Sequence, residues 1–277
     1  FFQTKRNFLS KKVLVTAGPT YEAIDPVRFI GNHSSGLMGV EIARAFADQG
    51  ADVTLVLGPS NISPNRNNIK VFPVTSAKEM YDAVMTFFPT TDIAVLSAAV
   101  ADFRPEMVAD QKIKKNPDTD TITLKLVKTE DILKTVGSKK KENQTVVGFA
   151  LETENGISNA KKKLHTKNID LIVLNEMNES GVGFKTKTNK VSIINKNDEI
   201  SEFDLKPKNE VALDILNEKH KRGKNILKGG SYEFIFDKKT CKIKEIELNQ
   251  YIQCFSEDFN NEDIEQQIKE LSDYNIR

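Results

Sequence analysis

The sequence contains no tryptophan, two cysteines and three histidines among its 277 residues. Cys241 and Cys254 show neither a metal-binding spacing nor a disulfide framework, so the composition favours a reducing, cytoplasmic location. No run of about 18 apolar residues occurs, so we expect no membrane-spanning helix. Because the net charge is only +1, the sequence gives no general reason to expect a nucleic-acid partner.

The common signatures of nucleotide and hydrolase sites are also missing. Neither G-x-G-x-x-G nor G-x-x-x-x-G-K-[ST] occurs, which argues against a simple dinucleotide fingerprint and against a P-loop. No tyrosine is followed by a lysine four residues later, as a short-chain reductase would require. The histidines form no Ser-His-Asp order and no metal cluster. The function must therefore be sought in less common motifs.

What is present is an alternation of apolar strands and amphipathic helices. The predicted strands are 11–18, 52–58, 92–100, 121–127, 145–151 and 170–175, followed by a hairpin of 189–195 with 199–204. The predicted helices are 36–49, 76–88, 130–137, 153–167 and 207–220. This pattern predicts an α/β fold, with a Rossmann-like, mostly parallel sheet that carries helices on both faces. In such sheets, ligands bind beyond the carboxyl ends of the strands.

We divide the chain into a leader (1–10), a main domain (11–220) and an extension of unassigned role (221–277). A basic, polar stretch, KHKRGKN, marks the start of the extension. The sequence that follows predicts a β-hairpin about DKKT, and NNEDIEQQIKELSDYN (260–275) predicts an acidic helix. The extension is therefore expected to consist of a β-hairpin and a helix.

The stretch FIGNHSSGLMG (29–39) has more small and polar residues than the start of a helix requires. Gly36 and Gly39 allow close approach of the backbone, and Ser34 and Ser35 add hydrogen-bond donors. Free N–H groups and the positive dipole end of the following helix suit a phosphate or an acyl phosphate. The alternative is a plain loop capped by Ser35.

Two side chains near this stretch are further candidates, one as a ligand of the same anion and one as a general base. Arg28 lies four residues before Asn32 and could face the anion, although an arginine is more often a solvated surface residue. His33 is a candidate general base. The remaining histidines are expected on the surface.

Further candidates follow later strands. Ala99 ends a strand with small side chains, and Asp102 comes next, where it could accept from a ribose or a base; the alternative is a turn residue. Lys112 begins a run of lysines that could offset triphosphate charge, or could simply be solvated. Phe149 could stack on a base or belong to the core. Lys163 and Lys167 share one helix face, near the site or at the surface.

Taken in order, these motifs resemble one family. TAGPT (16–20), DPVRFIGNHSSGLMG (25–39), AAVADFRP (98–105), KIKK (112–115) and GFALET (148–153) resemble the phosphopantothenate–cysteine ligases, the synthetase half of the bacterial bifunctional coenzyme A protein. The resemblance runs from about Lys11 to about Asn217. It implies a Rossmann-like homodimer.

The resemblance implies a reaction as well as a fold. Members join 4′-phosphopantothenate to L-cysteine, and bacterial members use CTP and pass through an acyl-cytidylate. Mg²⁺ is expected with the triphosphate. The FMN-dependent decarboxylase domain to which bacterial members are fused is expected to be absent from this chain. The alternative function is a non-catalytic nucleotide-binding module.

The resemblance also implies a role for each candidate residue. Asn32 would hold the acyl-cytidylate, and Lys112 would neutralise the triphosphate. The residues implied around the substrate are Arg28, Ser34, Ser35, Gly36 and Ala99. Those implied around the nucleotide are Asp102, Lys112, Glu130, Asp131, Ile132, Leu133, Phe149, Lys163 and Lys167.

Overall fold

The computed structural model describes residues 7–114, 121–152, 154–176 and 186–221, and the strands 224–229, 232–237 and 242–248. Its helices are α1 (Leu37–Asp48), α2 (Ala77–Phe87), α3 (Ile132–Lys139), α4 (Gly156–Thr166) and α5 (Lys208–Lys221). Its strands are β1 (Lys12–Ala17), β2 (Tyr21–Ala23), β3 (Phe29–Gly31), β4 (Asp52–Leu57), β5 (Ile69–Pro73), β6 (Ile93–Leu96), β7 (Phe103–Pro105), β8 (Leu126–Lys128), β9 (Thr145–Glu152), β10 (Leu171–Glu176), β11 (Thr188–Asn195), β12 (Ile200–Pro207), β13 (Lys224–Gly229), β14 (Tyr232–Asp237) and β15 (Lys242–Leu248). None of the helices in the described part is long and apolar enough to cross a membrane.

The main sheet has eight strands in the order β12-β11-β10-β9-β6-β1-β4-β5. All neighbours from β10 to β5 are parallel, whereas β11 pairs antiparallel with both β10 and β12. The parallel strands β5-β4-β1-β6-β9-β10 therefore have the 3-2-1-4-5-6 order of doubly wound nucleotide-binding sheets. The predicted Rossmann-like fold is confirmed.

Alternate residues of the central strands pack against opposite helical layers. Val13 and Val15 of β1 face a core shared with α1 and α5, through residues such as Phe46 and Ile215. Leu14 faces the other core, which α2, α3 and α4 cover. Helices thus lie on both faces of the sheet, as the sequence predicts, and every central strand is buried on both sides.

Several predicted elements differ in extent from those observed. The segment 19–35, expected as a loop, contains the antiparallel pair β2–β3. The strand predicted at 121–127 is reduced to β8, because its partner β7 is itself only three residues long. The strand predicted at 92–100 ends at Leu96, where the small residues that follow leave the sheet. The edge strand β5 was not predicted.

The chain divides into two compact units, and the boundary in the sequence falls between Glu218 and Lys219. In the second unit, β13, β14 and β15 form an antiparallel sheet of their own. The predicted hairpin about DKKT corresponds to β14 and β15. The helix predicted at 260–275 lies outside the described residues.

Candidate active site

The crevice of the sheet lies between β1 and β6, where the strand order reverses. Chain connections leave β1 towards β4 on one side, whereas β6 leads to β9 on the other. Beyond the ends of β1 and β6, one further pair of backbone hydrogen bonds joins the two chains. The Ala99 N–H donates to the Gly18 carbonyl at 2.9 Å, and the Thr20 N–H donates to the Ala99 carbonyl at 3.2 Å. A topological switch point of this kind is where open α/β sheets bind ligands.

Two glycines bring helix α1 against the ends of these strands. Gly36 is the N-cap residue, with φ of +80°, and a Cβ there would lie 3.2 Å from the Gly18 nitrogen. A Cβ on Gly39 would lie 2.5 Å from Ala17 Cβ and 2.6 Å from Ser97 Oγ. Gly36 has no side chain with which to cap the helix, but the Leu37 N–H donates to Ser35 Oγ at 3.4 Å and the Gly36 N–H donates to Ser34 Oγ at 3.3 Å, so the two serines cover the first turn of α1. The glycine pattern is thus required by close packing as well as by a left-handed turn.

Two cavities adjoin this crevice. The α3–α4 cavity has a volume of about 490 Å³ and is lined by residues that include Glu130, Asp131, Ile132, Leu133 and Lys167. The α1–α5 cavity has a volume of about 430 Å³ and is lined by residues that include Asn32, Ser34, Ser35, Gly36 and Ala99. Both cavities share a wall formed by Ala98, Val100, Asp102, Phe149 and Lys163.

Asn32 connects two elements across the crevice. Its Nδ2 donates to the carbonyl oxygens of Ala99 at 3.3 Å and Val100 at 3.1 Å. Since Asn32 follows β3 and the two carbonyls follow β6, this side chain holds the hairpin β2–β3 against the end of the sheet. The wall of the α1–α5 cavity therefore depends on a residue that the sequence singled out.

The shared wall carries a partly desolvated cation. Lys163 Nζ donates to the Phe149 carbonyl at 2.9 Å, which places the amine of α4 beside the carboxyl-terminal half of β9. Burial lowers the pKa of Lys163 from its usual 10.5, against the attraction of the Glu152 carboxylate. An amine held in this way is ready to interact with an anion that enters either cavity.

The start of α3 is tied to the end of α4 by an ion pair. Asp131 caps α3 by accepting from the Lys134 N–H at 2.8 Å, and its other oxygen pairs with Lys167. Burial acts to raise the pKa of Asp131, but the pairing with Lys167 and the hydrogen bond from Lys134 outweigh it, so the pKa is lowered. The α3–α4 cavity thus has a fixed helix N-terminus and a cation on one side.

Three of the candidate residues, Arg28, Lys112 and His33, lie outside both linings. The Arg28 guanidinium donates to Asp25 Oδ2 and, at 2.9 Å, to the Ile113 carbonyl. Lys112, next to Ile113, is exposed. His33 is also exposed and lines neither cavity. The structure brings together the other predicted residues, which are Asn32, Ser34, Ser35, Gly36, Ala99, Asp102, Glu130, Asp131, Ile132, Leu133, Phe149, Lys163 and Lys167.

A model of the family described as DNA/pantothenate metabolism flavoprotein C-terminal domain matches residues 8–221. The chain belongs to this family. The resemblance inferred from the motifs is thereby confirmed, and the match spans the first compact unit but not β13, β14 or β15.

Individual relatives agree with this assignment. A protein named Cysteine/Cysteine sulfinic acid decarboxylase, from an unknown prokaryotic organism, is 49% identical over 213 residues, which are 77% of this chain and 59% of that protein. The Coenzyme A biosynthesis bifunctional protein CoaBC of Bacillus subtilis (strain 168) is 44% identical over 216 residues, which are 78% of this chain and 52% of the relative. The chain therefore spans about half the length of the curated relatives it matches.

A solved structure narrows the match to one domain. The crystal structure of the C-terminal domain of the bifunctional protein CoaBC is 38% identical, with a TM-score of 0.66, and the alignment covers 79% of this chain and 97% of that one. The similarity therefore extends over nearly the whole of that domain.

Within the family fold, sequence reasoning missed a polar cluster at the far end of the α1–α5 cavity. Asn189 Nδ2 donates to Asn175 Oδ1 at 2.9 Å, and Lys208 Nζ donates to the Thr186 carbonyl at 2.9 Å. Lys208 is only 8% exposed, and burial lowers its pKa. Asn175 could have been found, since it ends a predicted strand, whereas nothing in the sequence pattern marks Lys208 as buried.

Proposed function

We propose that the chain is a CTP-dependent ligase that joins 4′-phosphopantothenate to L-cysteine, as a step of coenzyme A biosynthesis. Support comes from family membership and from the similarity to the CoaBC C-terminal domain, of which 97% is matched. In the proposed reaction, a carboxylate oxygen of 4′-phosphopantothenate attacks the α-phosphorus of CTP, and pyrophosphate leaves with the bonding electrons. The cysteine amine then attacks the acyl carbon, and CMP leaves with that carboxylate oxygen.

The observation that carries this proposal is the wall shared by the two cavities. An acyl-nucleotide can form only where an acid and the α-phosphorus of a nucleotide meet in line, at about 3 to 3.5 Å. Asp102, Phe149 and Lys163 border both cavities, so ligands in the two cavities would meet beside them. The Lys163 ammonium would offset negative charge that develops at the reacting phosphate.

We assign the nucleoside of CTP to the α3–α4 cavity. The N–H groups at the start of α3 suit a ribose or phosphate oxygen, and Asp102 suits a hydroxyl or an amino group. Phe149, which is partly buried against the core shared with α1 and α5, would offer its ring for stacking, and Lys163 and Lys167 would supply positive charge. Glu130, Ile132 and Leu133 would contribute the backbone and side chains around the ring.

We assign the acyl group to the α1–α5 cavity. Asn32, Ser34, Ser35, Gly36 and Ala99 line it, and the positive dipole end of α1 suits an anionic oxygen. Lys112 and Arg28, which line neither cavity, are assigned to the first half-reaction, with Lys112 offsetting triphosphate charge.

Mg²⁺ is proposed as part of the nucleotide substrate. Among the described residues, no group of three or more His, Cys, Asp or Glu side chains is arranged to hold a metal ion. Mg²⁺ commonly keeps several waters and binds through substrate phosphates, so this arrangement fits a metal that arrives with CTP. The proposed compartment is the cytoplasm, which suits two cysteines without a disulfide framework.

The working unit is proposed to be a homodimer. Large apolar side chains are exposed on and beside the two short antiparallel strand pairs β2–β3 and β7–β8, namely Val27 (61%), Phe29 (52%), Phe103 (45%), Met107 (82%), Val108 (53%) and Leu126 (43%). Strands β2 and β7 of these two pairs contact each other, so the side chains belong to one region. Exposed apolar patches mark interaction surfaces. Light scattering should give twice the chain mass, and Phe29→Asp should reduce it to the monomer mass; a monomeric wild type contradicts the dimer.

The ligase and the non-catalytic module are separated by one assay. The chain is mixed with CTP, Mg²⁺, 4′-phosphopantothenate and L-cysteine, and pyrophosphate is followed. We expect pyrophosphate only when nucleotide and acid are both present. No pyrophosphate with CTP, ATP, GTP or UTP contradicts the ligase and favours the binding module. Competition between the nucleotides measures the preference for CTP.

A further inference from the structure

The hairpin β2–β3 holds the segment that contains Lys112 on both sides of this lysine. Ala109 N–H donates to the Ile24 carbonyl at 3.0 Å. Ile113 is bound through both of its backbone polar groups: its N–H donates to Asp25 Oδ2 at 3.1 Å, and its carbonyl accepts from Arg28 Nη2 at 2.9 Å. Because peptide groups are planar, these contacts fix the peptide that joins Lys112 to Ile113.

We call the contacts of Asp25 and Arg28 with Ile113 the clamp, and Asp25 is its central residue. It is only 2% exposed, and its Oδ1 accepts from the Val27 and Arg28 N–H groups, each at 2.8 Å. The hydrogen bond from the Arg28 guanidinium holds the pKa of Asp25 well below its usual range, against the effect of burial. A buried carboxylate that is satisfied by charged and backbone donors is a rigid anchor.

The same contacts define what Arg28 does in this fold. Two of its nitrogens donate to Asp25, and one of these also donates to the Ile113 carbonyl, so the guanidinium is directed at the Lys112 segment. Neither Asp25 nor Arg28 lines the two cavities. Their contacts reach the proposed chemistry through the backbone beside Lys112.

We propose that Asp25, together with Arg28, is a positioning residue that fixes the backbone of Lys112 for the first half-reaction. This inference rests on the proposed function, in which the Lys112 amine offsets charge on the triphosphate. Without these contacts the Lys112 amine is still present but is no longer held in its correct position. A displacement of about 1 Å can slow a reaction about 100-fold.

A double-mutant cycle tests the coupling. Asp25→Asn keeps the size of the side chain but removes its charge, and Lys112→Gln removes the amine. We expect each single variant to release pyrophosphate about 10- to 100-fold more slowly than the wild type. The double variant should be no slower than Lys112→Gln alone, because the position of residue 112 no longer matters once its amine has been removed. Effects that multiply in the double variant overturn the proposal.

Asp170→Asn is the matched control. Asp170 also accepts a backbone hydrogen bond, from Val146 N–H at 2.9 Å, and pairs with Lys140 at 3.0 Å, but it lies before β10, at the amino end of the sheet. Lys112→Gln should slow pyrophosphate release by the same factor in the Asp170→Asn variant as in the wild type. If Asp25→Asn acts only on stability, Lys112→Gln should likewise slow the reaction by the same factor in the Asp25→Asn variant as in the wild type. That result also overturns the proposal.

Limited trypsin digestion tests the clamp without reference to activity. In Asp25→Asn, cleavage after Lys112 should be about tenfold faster than in the wild type, as for loss of one hydrogen bond to a charged group, while cleavage after Lys134 in α3 is unchanged. Arg28→Gln, which keeps Asp25, provides the same comparison where Asp25→Asn does not fold. Equal rates after Lys112 overturn the clamp. Absence of pyrophosphate from the wild type instead contradicts the ligase, so the two failures are distinct.

Discussion

Asn32 and Val100 are joined across the switch point of the sheet. The Asn32 Nδ2 group donates to the Val100 carbonyl at 3.1 Å and, in addition, to the Ala99 carbonyl at 3.3 Å. One amide thus ties the end of β3 to the chain that leaves β6. The shape of the α1–α5 cavity depends on this contact, because both partners lie in its lining.

Asn32→Asp replaces the amide donor by an oxygen that faces two carbonyl oxygens. The carboxylate cannot donate to them, so the wall should open and hold the acyl-cytidylate poorly. We expect overall ligation to fall by about 10- to 100-fold, with acyl-cytidylate released into solution. Chromatography of quenched reactions measures that intermediate.

Asn68→Asp is the control for this change. Asn68 Nδ2 also donates to two carbonyls, those of Ala47 at 2.8 Å and Ala51 at 2.9 Å, but Asn68 lies before β5 and lines neither cavity. It should lower the melting temperature and leave ligation unchanged. Equal loss of ligation in the two variants would show that Asn32 acts only through stability.

The buried amine of Lys163 should make stability depend on pH. Burial lowers the pKa of Lys163 below its usual 10.5, so the folded state binds fewer protons than the unfolded state between the two pKa values. The free energy of unfolding should therefore rise with pH in the window just below 10.5, and this rise should be smaller in Lys163→Met. Urea titrations at pH 8 and pH 10 measure it. Identical slopes in both proteins contradict the pKa shift.

Lys208→Met should separate anion binding from stability. The lysine is 8% exposed, and no salt bridge to it occurs within the described ranges, so the buried charge is compensated by a carbonyl alone. Removing the charge should leave the melting temperature unchanged or raised, because burial of a charge without a counter-ion is unfavourable. Affinity for CTP or 4′-phosphopantothenate should fall, as calorimetry can measure.

Lys206→Met is the comparison for that experiment. Lys206 lies two residues earlier and pairs with Asp214 at 2.7 Å, so its loss removes an ion pair outside the two linings. Stability should fall and ligand affinity should stay the same. Unchanged affinity for both ligands in Lys208→Met would exclude a binding role for that amine.

Gly39→Ala should be harmful although alanine favours helices. In an exposed helix, the change should stabilise by about 1 kcal/mol. Here the added methyl group would lie 2.5 Å from Ala17 Cβ and 2.6 Å from Ser97 Oγ, so α1 must move away from β1 and β6. We expect a lower melting temperature and weaker nucleotide binding, by differential scanning fluorimetry with and without CTP. A higher melting temperature would contradict the tight packing.

The residues that the sequence placed at the crevice, and that the structure also has there, lie near strand ends or at helix starts. Asp102 and Phe149 could be placed because the carboxyl ends of parallel strands meet at one edge of a sheet. Gly36 and Gly39 could be noticed because glycine at the start of a helix and in its first turn needs a reason. In each case, a local pattern combined with one rule about sheets was sufficient.

The contacts that the sequence did not reveal are tertiary. Arg28 pairs with Asp25 and reaches Ile113, a residue 85 positions away, so no local pattern distinguishes it from a surface arginine. Lys208 is buried only because α5 closes the α1–α5 cavity. Strand β8 is short because its partner β7 is short, which the alternation of 121–127 does not show.

The central claim is that an acyl-cytidylate forms where the two cavities meet. It is tested most directly with 4′-phosphopantothenate labelled with ¹⁸O in its carboxylate, in a reaction with CTP, Mg²⁺ and L-cysteine, followed by mass spectrometry of the products. Attack of the carboxylate on the α-phosphorus predicts one ¹⁸O atom in each CMP and none in pyrophosphate. Unlabelled CMP, with the label in another phosphate product, would contradict the account.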